Sequence, residues 1–254
     1  MTGIKTDDLK IDPFVTTAEM CRATDNPPTV FVKVDNRAAT RQAVIVKLRR
    51  EGFEFKTRSD WKAREAKTAG MKLDWSYTGI AIHHAGNSAS CNADGAAQMR
   101  KVQDLHMDVQ DYADVGYHYA VDCQGVIYEG RDIRYLGAHI GEVHGVAGIV
   151  LLADLSVRGE ERQQAADRPF WKRPGFGIFT VDDADVAHDE PTGEQIGALE
   201  ALVKALRHHF AIERLGGHRE WAVLKQNDVR ACPGVHGMIV VEMLRKDLKL
   251  GAPK

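Results

Sequence analysis

The sequence predicts an α/β (α+β) domain, a central mixed β-sheet flanked by helices. Three observations carry this: short apolar runs of strand length, amphipathic stretches of helical spacing between and after them, and glycine-bearing turns separating the two. Residues 1–55 stand apart as an N-terminal extension, and residues 56–254 form the predicted domain. Within the extension lie an Asn26-Pro27-Pro28 breaker, a short Val30-Phe31-Val32 run, and a stretch from Ala38 to Arg50. In that stretch Val44, Val46 and Leu48 alternate in a basic context, so helix and strand both stay open. Ile80-Ala81-Ile82 then lead into His83-His84 and Gly86-Asn87, the pattern of a buried strand ending in a loop. From Asp94 to Val109, Met99, Val102, His106 and Val109 recur at helical spacing, with His106 read as a packing histidine.

Tyr117 to Val121 and Val126 to Glu129, joined by Asp122-Cys123-Gln124-Gly125, predict a hairpin, and Gly148 to Leu152 a further strand. Asp154 to Glu190 is polar and broken by Arg168-Pro169 and Arg173-Pro174-Gly175, and reads as a long surface excursion. Thr192, with Gln195 three positions later, caps a helix carrying Ile196, Leu199, Leu202, Val203, Leu206 and Phe210. A last helix is predicted over His236–Leu248 with Ile239, Val240, Met243 and Leu244 inward.

The chain has 254 residues and is 44% hydrophobic, enough to bury a substantial core. Its 34 basic and 36 acidic residues nearly cancel, so no global field favours nucleic acid or an anionic membrane. It holds no run of about 18 apolar residues, which predicts no membrane insertion. Met1 to Phe14 lacks the basic-then-apolar pattern of an export signal, and synthesis in the cytoplasm is expected. Cys21, Cys91, Cys123 and Cys232 are far apart and form no CxxC pair. The first three are expected as free buried thiols.

Catalytic zinc takes three protein ligands and keeps one position open for water. Two places offer ligands: His83-His84 closing a strand, and Gly217-His218-Arg219-Glu220 leading through a polar loop to Arg230-Ala231-Cys232-Pro233-Gly234. Side chains alternate along a strand, so only one of the two adjacent histidines points away from the face of Ile80 and Ile82. Spacing alone does not choose between them. With eleven histidines in the chain, histidine by itself is a weak signal.

The order of the motifs is more specific. Ile80-Ala81-Ile82-His83-His84, Asp114-Val115-Gly116-Tyr117-His118-Tyr119, Val126-Ile127-Tyr128-Glu129-Gly130-Arg131, Gly137-Ala138-His139, Gly217-His218-Arg219-Glu220 and Ala231-Cys232-Pro233-Gly234 follow one another. Over roughly residues 58–245, starting at Arg58-Ser59-Asp60-Trp61, this resembles the type 2 amidase and peptidoglycan recognition protein family. The resemblance implies that family's fold and an N-acetylmuramoyl-L-alanine amidase, with peptidoglycan (muropeptide) as substrate and Zn2+ as cofactor. It places the metal on His84, His218 and Cys232. His84 is preferred because relatives with one histidine there carry it just before the loop, with His83 as the alternative ligand or a substrate contact. Tyr117 matches the catalytic tyrosine, Arg230 stands where relatives carry lysine or threonine and would stabilise an oxyanion, and His139 would line the groove. Cys91 resembles half of a disulfide whose usual partner is missing here. The thirteen residues between His218 and Cys232 exceed the family's usual spacing. A monomer acting on the bacterial wall is expected, with three roles open: a bacteriolytic phage endolysin released through the membrane, a toxin delivered by a secretion apparatus, or a cytoplasmic recycling enzyme. The alternative is a recognition module that binds peptidoglycan without cutting it.

Overall fold

The computed structural model describes residues 14–15, 29–30, 36–86, 89–160, 188–226 and 230–254. The Asn26-Pro27-Pro28 breaker, Phe31-Val32, Cys21, Asn87 and most of the excursion expected over 154–190 lie outside these residues.

The chain divides into two compact units, Met1–Ala43 and Val44–Lys254. In the smaller, β1 (Phe14–Val15) and β2 (Thr29–Val30) pair antiparallel. The helix α1 (Asn36–Arg50) runs across the division, and its Val44, Ile45 and Leu48 are buried in the core of the larger unit. That core therefore starts well before the expected boundary at residue 56. The reason is helical: positions 44, 45 and 48 share one face at a period of 3.6, whereas the alternation seen in the sequence suited a strand equally.

The larger unit is built on a six-stranded mixed sheet. Its strands are β3 (Phe55–Lys56), β4 (Gly79–His84), β5 (Tyr119–Val121), β6 (Ile127–Glu129), β7 (Val146–Leu151) and β8 (Arg214–Gly217), in the order β3-β6-β5-β7-β4-β8. The strand β4 runs parallel to both β7 and β8; β5 and β6 form the expected antiparallel hairpin. On one face Ile80, Ile82, Ile149, Leu151 and Leu215 pack under α3 (Gly193–His209) and α5 (Gly234–Leu248). On the other, α2 (Gly95–Asp104) packs Met99 against Ala120, Tyr128 and Val150, and Trp221 of α4 (His218–Gln226) covers Ala81 and Val146.

The cap predicted at Thr192 forms, and Asp94 supplies a second. Thr192 Oγ1 accepts the N–H of Gln195 at 3.0 Å, and Asp94 Oδ2 accepts that of Ala97 at 2.7 Å, each satisfying a helix N–H that has no partner within its helix. Four expectations need correction. Regular α2 stops at Asp104 and continues as a wider turn over Leu105–Val109, which swings Val109 out to 74% exposure. In α5 Val241 takes the inward place expected of Ile239, which is exposed. Residues 218–226 are helical where a polar loop was expected, because Trp221 and Ala222 have a sheet face to bury against. Cys91 and Cys123 are joined in a disulfide with Cα atoms 5.1 Å apart, although 32 positions separate them. Packing of the hairpin turn against the segment before α2 brings them together, which linear spacing does not reveal. Among the described residues, no helix is long and apolar enough to cross a membrane.

Candidate functional site

The parallel strands β4, β7 and β8 end along one edge of the sheet, at His84, Leu151 and Gly217. The carboxyl ends of parallel strands are where open α/β sheets place ligands, because the connections leaving them diverge. Three of the candidate residues arrive there directly: His83 and His84 at the end of β4, and His218 as the first residue of α4.

Strand alternation separates the adjacent histidines. His84 lies on the face of Ile80 and Ile82; its Nδ1 accepts the N–H of Leu155 at 3.1 Å and sits 3.7 Å from Asp154. His83 lies on the opposite face. Its ring centroid is 4.5 Å from that of His218 and 4.9 Å from that of Tyr117, and its Nδ1 is 3.5 Å from Cys232 Sγ. Among the described residues, the donor atoms of His83, His218 and Cys232 all lie within 4.8 Å of one another. The structure thus brings together His218 and Cys232 as expected, and joins them with His83 in place of His84. His84, the preferred ligand of the sequence reading, does not join this cluster, because the pleat points it into the hydrogen bond with Leu155.

Cys232 is carried by the segment between α4 and α5, and that segment is tied down at several points. The backbone N–H of Arg219 donates to Cys232 O at 2.9 Å, and the Arg219 guanidinium bonds both Glu160 and the carbonyl of Ala231. Glu160, itself buried, also accepts the N–H groups of Val157 and of Val235 in the first turn of α5. Gly234, at φ +80°, lets the chain turn into α5 against Leu155, where a Cβ would meet Leu155 O at 2.1 Å. Neither Arg219 nor Glu160 was singled out from the sequence. Arg219 lies inside the Gly-His-Arg-Glu motif, but the partner that gives it a role comes from 59 positions away.

Electrostatics suits a cation. Burial holds His83 well below the usual imidazole range, so it presents a neutral ring with a lone pair. Burial pushes the Cys232 thiol up to about 12, opposed by the N–H of His84 at 3.4 Å and by the charges of Arg219 and Arg230. A positive ion beside Sγ would reverse that balance. Zinc bonds of roughly 2.05 Å to nitrogen and 2.3 Å to sulfur, at a tetrahedral angle, put the two donors about 3.6 Å apart. The observed 3.5 Å between His83 Nδ1 and Cys232 Sγ fits that spacing. His218 and Cys232 are half-buried, leaving the group open on one side.

The remaining candidates divide. Tyr117 is half-buried beside His83, and burial raises its phenol far above the normal range, so it keeps its proton. Arg230 is half-buried and close enough for its charge to act on Cys232. His139, expected to line the groove, is 8% exposed and lies behind His83, its Nδ1 3.0 Å from His83 Nε2. His106 packs as expected, its Nδ1 accepting the N–H of Gly116. Arg131 donates to the carbonyls of Asp114, Val115 and Leu136, and Glu129 accepts the N–H of Arg58. A cavity of about 250 Å³, lined by Met71, Lys72, Tyr112, Leu136 and Ala138 among others, opens beside the segment that carries His139.

Residues 74–235 match the model of the N-acetylmuramoyl-L-alanine amidase family. Human peptidoglycan recognition protein 3 is 39% identical over 82 residues, 32% of this chain and 24% of the relative. Peptidoglycan-recognition protein LB of Drosophila melanogaster is 34% identical over 101 residues, 39% of this chain and 43% of the relative. The chain thus spans less than half the length of these two relatives. Among solved structures, Drosophila peptidoglycan recognition protein LB aligns with a TM-score of 0.54 at 24% identity, covering 78% of this chain and 96% of its own. A mutant of that protein in complex with tracheal cytotoxin aligns at 0.53 and 22% identity, covering 78% and 96%. An endolysin N-acetylmuramoyl-L-alanine amidase, LysCS of Clostridium intestinale, aligns at 0.53 and 17% identity, covering 78% and 97%. The family match covers well over half of the chain, and the chain belongs to the N-acetylmuramoyl-L-alanine amidase family.

Proposed function

We propose that this member of the N-acetylmuramoyl-L-alanine amidase family is a zinc-dependent enzyme that hydrolyses the amide between N-acetylmuramic acid and L-alanine in peptidoglycan. The observation that carries the reading is the set of three converging donors, His83, His218 and Cys232, with Tyr117 against the first of them.

His83, His218 and Cys232 would hold the ion through two neutral imidazoles and a thiolate. Bound there, zinc supplies an acidified water and a Lewis acid for the amide carbonyl. The protein's own groups do the rest. Tyr117, whose buried phenol stays protonated, donates a hydrogen bond to the amide oxygen as charge builds on it. Arg230, permanently cationic, adds favourable potential at the same side of Cys232. The cavity beside Tyr112 and Ala138 offers room for part of a muropeptide away from the reacting bond. The Cys91–Cys123 disulfide supports a site of action outside a reducing cytosol, as the wall polymer requires.

The names of the curated relatives favour a second reading, recognition of peptidoglycan without cleavage. Incubating the protein with purified sacculi separates the two. Release of free stem peptides, seen by mass spectrometry and abolished by a chelator, is the expected result; sacculus binding without release would establish the recognition module.

A further inference from the structure

We propose that His139 is a positioning residue that dictates which nitrogen of His83 faces the metal-binding group; the inference rests on the zinc reading above.

Val146 O, His139 and His83 form a chain of three groups. The carbonyl oxygen of Val146, on β7, can only accept, and it lies 3.2 Å from His139 Nε2. His139 Nε2 therefore carries the ring's proton. A neutral imidazole holds one such proton, so His139 Nδ1 is left as an acceptor, 3.0 Å from His83 Nε2. A hydrogen bond there requires a donor, which places the His83 proton on Nε2. The other nitrogen, Nδ1, is then a bare lone pair, and it is this atom that stands 3.5 Å from Cys232 Sγ. The opposite tautomer would aim an N–H at the metal position and leave two lone pairs facing each other between the rings.

A second observation shows that His139 is built to stay where this chain needs it. Its ring lies in a slot between two glycines. A Cβ on Gly148 would meet His139 Cδ2 at 2.4 Å, and one on Gly137 would meet the same atom at 2.4 Å. Gly148 and Val146 both belong to β7, which is paired along its length with the strand that carries His83. The orienting carbonyl, the slot and the ligand thus share one rigid piece of sheet. Groups that orient a metal-bound imidazole through its second nitrogen typically tune affinity by about 10–100-fold.

The test uses the full chain. Long-range 15N–1H NMR on the metal-free protein should show His83 with a protonated Nε2 and an unprotonated Nδ1. Zinc affinity, by competition with a chromophoric chelator, should fall by about 10–100-fold in His139→Leu. It should largely recover in His139→Asn, whose Oδ1 can accept the His83 Nε2 proton in place of the ring nitrogen. A role confined to filling space would give no such recovery. The proposal is overturned if His83 carries its proton on Nδ1 in the wild type, or if folded His139→Leu binds zinc as tightly as the wild type. Failure of the wild type to bind zinc would overturn the parent reading, and the NMR signature alone would then decide the tautomer.

Discussion

The two halves of the site are held by different means. His83 lies near the end of an inner strand of the sheet: buried, on a strand with parallel neighbours on both sides, its ring backed by His139, which in turn meets a β7 carbonyl. Cys232 lives on a connection between helices, half-buried, its place set by Arg219, Glu160 and the turn at Gly234. The first half is fixed by sheet hydrogen bonds and packing, which cost little further ordering. The second relies on a salt bridge, whose two charges must be desolvated and kept paired. Changes on the strand should therefore act on folding stability, whereas changes on the connection should act chiefly on the zinc affinity proposed above.

Replacing the ligands one at a time should break or sharpen this contrast most strongly. Cys232→Ser should weaken zinc binding by more than about 100-fold, beyond what loss of a supporting group does, and abolish peptide release. Its unfolding midpoint without metal should stay close to the wild type. His83→Ala should lose zinc equally and also lose on the order of 2 kcal/mol in urea unfolding, because it empties a buried site. Equal stability losses in the two variants would erase the distinction.

Acid should probe the buried histidines around the sheet next. His106 and His118 are buried and held at about 4, below the usual 6.5, chiefly by burial. The unfolded chain binds their protons more readily, so their stabilisation is complete above about pH 6.5 and drains away as pH falls towards 4. The loss is on the order of 3 kcal/mol for each group at full effect. Urea unfolding of metal-free protein at pH 7.5 and pH 5 measures it, and a stability that rises on acidification contradicts the assignment.

Glu160→Gln should leave the Arg219 guanidinium without its carboxylate and loosen the connection. The side chain of Arg219 is about a quarter exposed, so the cost is moderate, roughly 1–2 kcal/mol. Zinc affinity should drop while the His83 tautomer signature stays unchanged, and a shifted signature would show that the halves are coupled. Ile239→Ser, at a position on α5 that is 58% exposed, should change stability by less than about 0.5 kcal/mol.

Much of this molecule is legible in its sequence. The β4 run, the hairpin about Gly125, the cap at Thr192 and the long apolar repeat of α3 are local signals, and each forms as a local signal should. The ordered motifs name the neighbourhood of the site, and two of the three residues that cluster there, His218 and Cys232, stand in those motifs. The helix at 218–226 was hidden because its apolar face is short and its justification, a strip of sheet to cover, lies elsewhere in the chain.

What the sequence by itself determined was composition, element types and the order in which candidate ligands appear, because these depend on neighbours a few residues apart. What only the tertiary structure decided was which of two adjacent histidines faces Cys232, that His139 stands behind the site, that Cys91 meets Cys123, and that Glu160 reaches Arg219. Strand alternation guarantees that His83 and His84 point to opposite faces. Which face receives Cys232 and His139 depends on elements that pack there from 50 to 150 positions away, and no local pattern encodes their arrival.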